Sequence, residues 1–282
     1  MRDLHESNRW SIFMLAGLLA ACAGGDDAGE AAGGAEGAED TAAPAAAIEN
    51  AGMISGMVNF TGAAPAPEPI DMAEEPTCAA KHGSPPMATP VLVTDGKLAN
   101  VFVYIKEGLS GTYATSGDAP EIDQDGCIYT PHVVGVQTGQ QVTFRNSDGL
   151  LHNIKAQPSN NRTFNISQPT NMTSTQSFSQ PEIMIPVQCD VHGWMNMYIG
   201  VTEHPYFAVT GTDGSFTLEN VPPGTYTLEA WHERYGVTTQ QVTVAPNGAA
   251  TVTFDFNAGM AGAHVPLGQP IDPHGVHAPA GD

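Results

Sequence analysis

The chain has 282 residues, with 9 Lys and Arg against 30 Asp and Glu, a formal net charge of −21. Such a balance argues against a nucleic-acid binder, which needs a basic footprint, and against docking on anionic lipid. The length suffices for two small domains once polar termini are set aside.

In chain order, Arg2 and Arg9 precede an apolar run from Ile12 to Ala21. That run is too short to span a bilayer as a mature helix and reads as an export signal, residues 1–21. Its end, Leu19-Ala20-Ala21-Cys22, resembles a bacterial lipobox. The resemblance implies cleavage before Cys22 and lipidation of its thiol. Ala23 is not Asp, so by analogy with enteric sorting the lipoprotein would leave the inner membrane. The expectation is an exported bacterial lipoprotein on the periplasmic face of the outer membrane or on the cell surface. Residues 22–51, rich in Ala, Gly, Glu and Asp, cannot bury a core and read as a flexible acidic tether.

From there the chain reads as all-β. Met53–Phe60 and Asn100–Ile105 alternate as strands do, with Gly, Pro, Asn and Asp between runs, and no long amphipathic helix is visible. These runs fall in an N-terminal β segment, residues 52–117. Within it, the Pro-rich stretch Ala63–Pro90 reads as a long loop stapled by Cys78.

Residues 118–203 carry the most specific chemistry. A strand-like run leads to Leu151-His152-Asn153, and another, ending Ile183-Met184-Ile185-Pro186-Val187, leads to Cys189-Asp190-Val191-His192-Gly193-Trp194-Met195. A tight loop after Cys189 brings His192 back toward the same point, and His152 comes from a neighbouring strand. One thiolate, two imidazoles and a thioether are the donor set of a blue-copper electron-transfer site. The thioether favours copper over zinc, for which Met is a poor ligand.

Gly139–Asp148 followed by His152-Asn153-Ile154 resembles the strand and first-ligand segment of cupredoxins, and Cys-x2-His-x2-Met is similar to the short ligand loop of amicyanin. The likeness covers about Gly126 to Thr202 and implies a Greek-key β-sandwich holding one type 1 copper. Cys189 would give the thiolate bond, His152 and His192 the trigonal plane, and Met195 the long axial contact. The longer spacing of plastocyanins and pseudoazurins fits Met197 instead. Met195 is preferred because Tyr198-Ile199-Gly200-Val201 then reads as the closing strand. Asn153 is expected to tie the two ligand segments together. Gly193 stands where many relatives have Pro. Gly193 and Trp194, with Leu150 and Leu151, would form an apolar patch around an exposed imidazole edge, suited to brief docking.

With Cys22 lipidated and Cys189 on the metal, Cys78 and Cys127 remain, an even pair whose default in an oxidising compartment is a disulfide. The competing reading takes Cys78 and His82 as a second metal half-site.

Phe207–Leu218, with Asp213-Gly214, leads into Val221-Pro222-Pro223-Gly224 and Thr225–Leu228, and resembles the carboxypeptidase-regulatory, transthyretin-like β-sandwich. Asp213-Gly214 is a hairpin signal. Residues 204–257 supply only four or five strands. Two arrangements fit: a sandwich completed by Met53–Gly108 with the copper domain inserted, or two sequential domains. Residues 258–282, with His264, His274 and His277, read as a disordered tail. His132, on the strand leading to the copper segment, fits packing beneath the site, a bond to a backbone group, or a ligand role; His204 and His232 fall in or beside the C-terminal part, and no nucleophile motif accompanies His232-Glu233.

The expected function is a lipid-anchored electron carrier, not an enzyme, since four protein ligands leave no open position. Its partner would be a basic redox protein such as a cytochrome, or a membrane oxidoreductase, with the lipid as the only membrane contact and a monomeric chain. The alternatives are copper delivery, and an adhesion or assembly module with structural copper.

Overall fold

The computed structural model describes residues 48–88 and 90–261. The expected signal segment, lipidated Cys22, nearly all of the tether, and His264, His274 and His277 lie outside the described residues. The chain is all-β. Helix among the described residues is limited to Pro76–Ala79 and a 3-10 turn at Ala258–Met260, and none is long and apolar enough to cross a membrane. Residues 258–260, expected to open a disordered tail, form that turn instead, and the Asn257 side chain caps it by accepting from Gly259 N; residues 262–282 lie outside the described residues.

Two sandwiches form, and the first draws on both ends of the chain. Gly52–Thr61 pairs antiparallel with Ser215–Val221 and parallel with Ala249–Asn257. Facing it, Phe102–Glu107 pairs with Phe207–Val209 and with Gly224–His232, and Gly236–Val244 closes that sheet. Ala249–Asn257 shows how its sequence fixes the register. Val252, Phe254 and Phe256 turn inward while Thr251, Thr253 and Asp255 face out, the two-residue period of a half-buried strand. Ile54, Val58, Leu98, Val103, Ile105, Leu228 and the two Phe residues share one core.

Asp213-Gly214 does turn the chain, with Gly214 at φ +69° and its N–H donating to Gly211 O. Its flanking strands, however, join opposite sheets instead of pairing as a hairpin. Two buried faces must be fed from one chain, so a turn residue pattern specifies reversal but not the partner strand.

The second sandwich lies between these halves in sequence. One sheet runs Thr173–Ser177, Gln141–Asn146, Glu121–Asp125, Ile128–Thr130; the other runs Phe164–Gln168, His152–Ala156, Glu182–Gln188, Asn196–Thr202, Val133–Gln137. Ile122, Val136, Phe144, Ile154, Phe178, Ile185, Ile199 and Val201 fill its core.

The sandwiches meet over a pair of glycines. Gly135 and Gly200 sit side by side on adjacent parallel strands. A Cβ on Gly200 would lie 2.6 Å from both Phe102 Cζ and Met184 Cε, and one on Gly135 would run into the Phe207 ring. Glycine here is a matter of room: the absent side chains form the seat for two phenyl rings. His132 adds a polar clamp, with Nε2 2.7 Å from Glu233 Oε1.

Residues 62–91 make a strap. It holds a two-residue ladder, Glu68–Pro69 with Met87–Ala88, and the single helical turn Pro76–Ala79. Cys78 on that turn is bonded to Cys127, which anchors the strap to the second sandwich.

Candidate metal centre

Three elements bring the donors together. His152 opens the strand His152–Ala156, and Cys189 follows the strand Glu182–Gln188, paired with it through Lys155 and Gln188. The loop from Cys189 to Met195 folds back because Cys189 N donates to Met195 O at 3.0 Å and Met195 N to His192 O at 2.9 Å. It re-enters the sheet opposite Gln188 at Asn196.

His152 Nδ1 and His192 Nδ1 then stand 2.9 Å apart, and Cys189 Sγ lies 3.8 Å from His192 Nδ1. The three donor atoms lie within 4.8 Å of one another, all buried. Two imidazole nitrogens that close are either sharing a proton or facing one cation. The additional thiolate makes this a donor set for a soft or borderline metal ion, and the residues fit copper. Met195 and Met197 are both buried, at 1% and 0% exposure. Met197 stands opposite Val187 within the sheet, on the same alternating set as Ile199 and Val201, whereas Met195 closes the ligand loop itself.

Electrostatics prepare the set for metal. Burial pushes the Cys189 thiol up, but contacts from His152, His192 and the backbone of Asn153 and His192 outweigh it, bringing it down to about 6. It is therefore mostly thiolate at neutral pH, the form that binds metal. Burial opposes charge on His152, yet Asp148 and Cys189 raise it.

Asp148 is the residue that sequence reasoning missed. Its side chain is fully buried, with Oδ2 2.8 Å from His152 Nε2. It also accepts from Gly126 N and Cys127 N at 2.7 Å and pairs with Lys81 Nζ at 2.9 Å. Burial would raise its carboxyl, but these donors together hold it well below the usual carboxylate range. A carboxylate behind a ligand imidazole fixes its tautomer, leaving Nδ1 free for metal. The only sequence signal was an acidic residue four positions before the His, in a turn-forming Asn-Ser-Asp-Gly run.

Asn153 spans the ligand segments: Oδ1 accepts from Asp190 N at 2.6 Å and Nδ2 donates to Asn165 Oδ1 at 2.6 Å. Of the other histidines, His82 Nε2 lies 2.7 Å from Gly126 O, and Cys78 is in the disulfide, so these two do not share a site. His132 is committed to Glu233, and His204 Nε2 lies 2.8 Å from Ile105 O. His232 is buried in the first sandwich, with its ring beside Tyr235.

The expected exposed imidazole edge is absent. His192 is only 2% exposed. The strap covers it: Cys78 Sγ lies 3.6 Å from His192 Nε2, and the Trp194 ring is 5.3 Å from the imidazole while its Nε1 donates to Cys127 O. Leu151 and Val191, each 47% exposed, are the apolar side chains left outside. Trp194 also lines a groove of about 1040 Å³ with Ile70, Met87, Tyr198 and Glu233. The cover comes from a Cys more than a hundred residues away, so local spacing carried no trace of it.

The carboxypeptidase regulatory-like domain family matches residues 197–257. No curated protein matches the chain. Among solved structures, a purple cupredoxin from Nitrosopumilus maritimus is 24% identical over 30% of this chain and 100% of its own, with a TM-score of 0.26. An oxidised amicyanin variant is 18% identical over 35% and 97%, TM-score 0.28. A copper-containing nitrite reductase from Thermus scotoductus is 19% identical over 34% of this chain, TM-score 0.29, but this chain spans only 25% of that enzyme's length.

Proposed function

We propose that the chain is a type 1 copper protein that carries single electrons between redox partners, held to a membrane by a lipid on Cys22. The observation that carries this reading is the convergence of His152 Nδ1, His192 Nδ1 and Cys189 Sγ in a buried pocket, with the thiol already held low. Bound copper would supply a one-electron couple. Cys189 supplies the thiolate, and His152 and His192 supply the imidazoles. Met195, which ends the same loop, would supply the thioether. Asp148 holds His152 Nε2 so that Nδ1 points inward. The strap and Trp194 exclude water from His192.

With Met195 as a fourth donor, the ion would have no open position for a substrate, which is why this reading is carriage and not turnover. Burial of every donor also favours retention of the ion over exchange in the disulfide-bonded form. The net charge of −21 would steer a basic partner such as a cytochrome. The test is Cu(II) addition to the full chain and to Cys189→Ser, read by visible absorption. An intense thiolate-to-copper band that the variant lacks is expected. A colourless protein that binds copper weakly refutes the reading.

A further inference from the structure

The two nitrogens of His192 face different chemistry. Nδ1 turns to His152 and Cys189, while Nε2 has Cys78 Sγ at 3.6 Å. A disulfide sulfur is a weak hydrogen-bond partner, so with Nδ1 on a metal the Nε2–H would be poorly satisfied for so enclosed a position. Cys78 Sγ, Cys127 Sγ and a ring nitrogen of His192 lie within 4.8 Å of one another, and both Cys residues are 0% exposed. Two thiolates and an imidazole suit a closed-shell soft ion, Zn(II) or Cu(I). While the sulfurs are bonded to each other they cannot ligate.

We propose that reduction of Cys78–Cys127 turns the strap's cross-link into a second metal site, in which the two thiolates and His192 Nε2 hold Zn(II) or Cu(I). The inference stands whether or not copper binds at Cys189.

The chemistry balances with a dithiol reductant. One thiolate of the reductant attacks a sulfur of the bridge, its second thiol displaces the mixed disulfide, and two electrons and two protons pass to Cys78 and Cys127. Metal binding then releases those two protons. His192 must present Nε2 without its hydrogen. When Nδ1 carries no metal, that proton moves to Nδ1, where His152 Nδ1 at 2.9 Å accepts it. The two sites thus use opposite faces of one ring and compete for it, so reduction offers an ion at Cys189 a place to go.

Access requires the strap to lift. Among the described residues, its ties to the second sandwich besides the cross-link are His82 to Gly126 O, Lys81 to Asp148, and the packing of Ile70 and Met72 on the core. A segment with so little ladder opens at low cost compared with the sandwich beneath it.

The test uses the full chain carrying Cys22→Ser and Cys189→Ser, which removes the first site's thiolate and leaves Cys78 and Cys127 as the chain's two cysteines. The probes are Zn(II) and Cd(II) alone. After reduction with a phosphine, one Cd(II) should bind with thiolate charge-transfer absorption. One equivalent of Zn(II) should slow alkylation of Cys78 and Cys127 about tenfold or more, and adding His192→Ala should weaken binding about tenfold or more. The unreduced chain should bind no Cd(II) with thiolate absorption. Alkylation unaffected by Zn(II), or affinity unaffected by His192→Ala, overturns the proposal. If reduction unfolds the chain, circular dichroism must show that Zn(II) restores it; failure to restore it also overturns the proposal. Because Cys189 is absent throughout, these outcomes are independent of any blue band in the wild-type chain.

Discussion

Replacing Asp148 with Asn tests whether one buried carboxylate both secures the strap and sets the ligand His. The side chain has no exposure, so solvent screening gives no discount, and four donors converge on it: two backbone N–H groups, Lys81 Nζ and His152 Nε2. An amide keeps one acceptor oxygen and points an NH2 group at the remaining donors. Removing one partner of a buried charged pair costs about 3–5 kcal/mol, and each backbone N–H left unsatisfied adds to that cost. A loss of about 3 kcal/mol is a conservative expectation, or roughly 6–12 °C in melting temperature for a domain of this size. Urea unfolding should show a lower midpoint with an unchanged slope. The pH dependence has a definite sign. The folded carboxyl is held below its ordinary value of 3.8, so its contribution is full above that value and fades as pH falls through the lowered one. Wild type and variant should therefore converge in acid. Copper affinity should fall about 10–100-fold because His152 loses the group that orients it. A stability loss below about 1 kcal/mol together with unchanged copper affinity would refute the reasoning.

Other residues give independent checks. Gly200→Val should cost about 1–3 kcal/mol by overpacking, since its side chain would meet Phe102 and Met184, and calorimetry should show the transition moving down. Asn153→Ala removes a link of 2.6 Å between the ligand segments and should lower stability by about 1 kcal/mol in urea, with a broadened charge-transfer band in the copper form. Burial lowers the His132 imidazole but Glu233 raises it above its ordinary value of 6.5, so the clamp's contribution is full below that value and is lost as pH rises through the higher one. Stability of the wild type relative to His132→Gln should fall from acid to alkaline pH, and a flat difference between the two would remove His132–Glu233 as a charged clamp.

What the sequence revealed follows the range of the interactions involved. The approach of Cys189 to His192 was legible because both lie on a turn of seven residues whose backbone closes on itself at Met195. The all-β character was legible because alternation, as in Val252, Phe254 and Phe256, is local. Pairing was not. Gly52–Thr61 lies beside Ala249–Asn257 in a parallel ladder, and no local pattern encodes a partner almost two hundred residues away. Asp148 escaped notice because its role depends on Lys81 from the strap and on Gly126 and Cys127 from the turn after Glu121–Asp125, which only the folded chain brings together. The glycine seat was hidden for a similar reason: Gly135 and Gly200 look like ordinary strand breakers until Phe102 and Phe207 are packed against them.

The position of the strap bears on what kind of copper chemistry the pocket suits. An electron carrier gains from donors that barely move between oxidation states, whereas a delivery protein must let one of them swing out. His152 is fixed at Nε2 by Asp148, and Cys189 is fixed by its backbone bond to Met195 and by the Asn153 contact to Asp190. His192, the donor on the freest loop, is pressed between the disulfide and Trp194. The donor best placed by local structure to move is thus the one that distant residues clamp. That arrangement favours electron carriage while the cross-link is intact. It also concentrates any loosening at one bond, so breaking Cys78–Cys127 should raise the rate of copper loss to a chelator far more than any single substitution at Leu151 or Val191, which lie outside the cover. Equal loss rates with and without the cross-link would show that the strap is not what holds His192 in place.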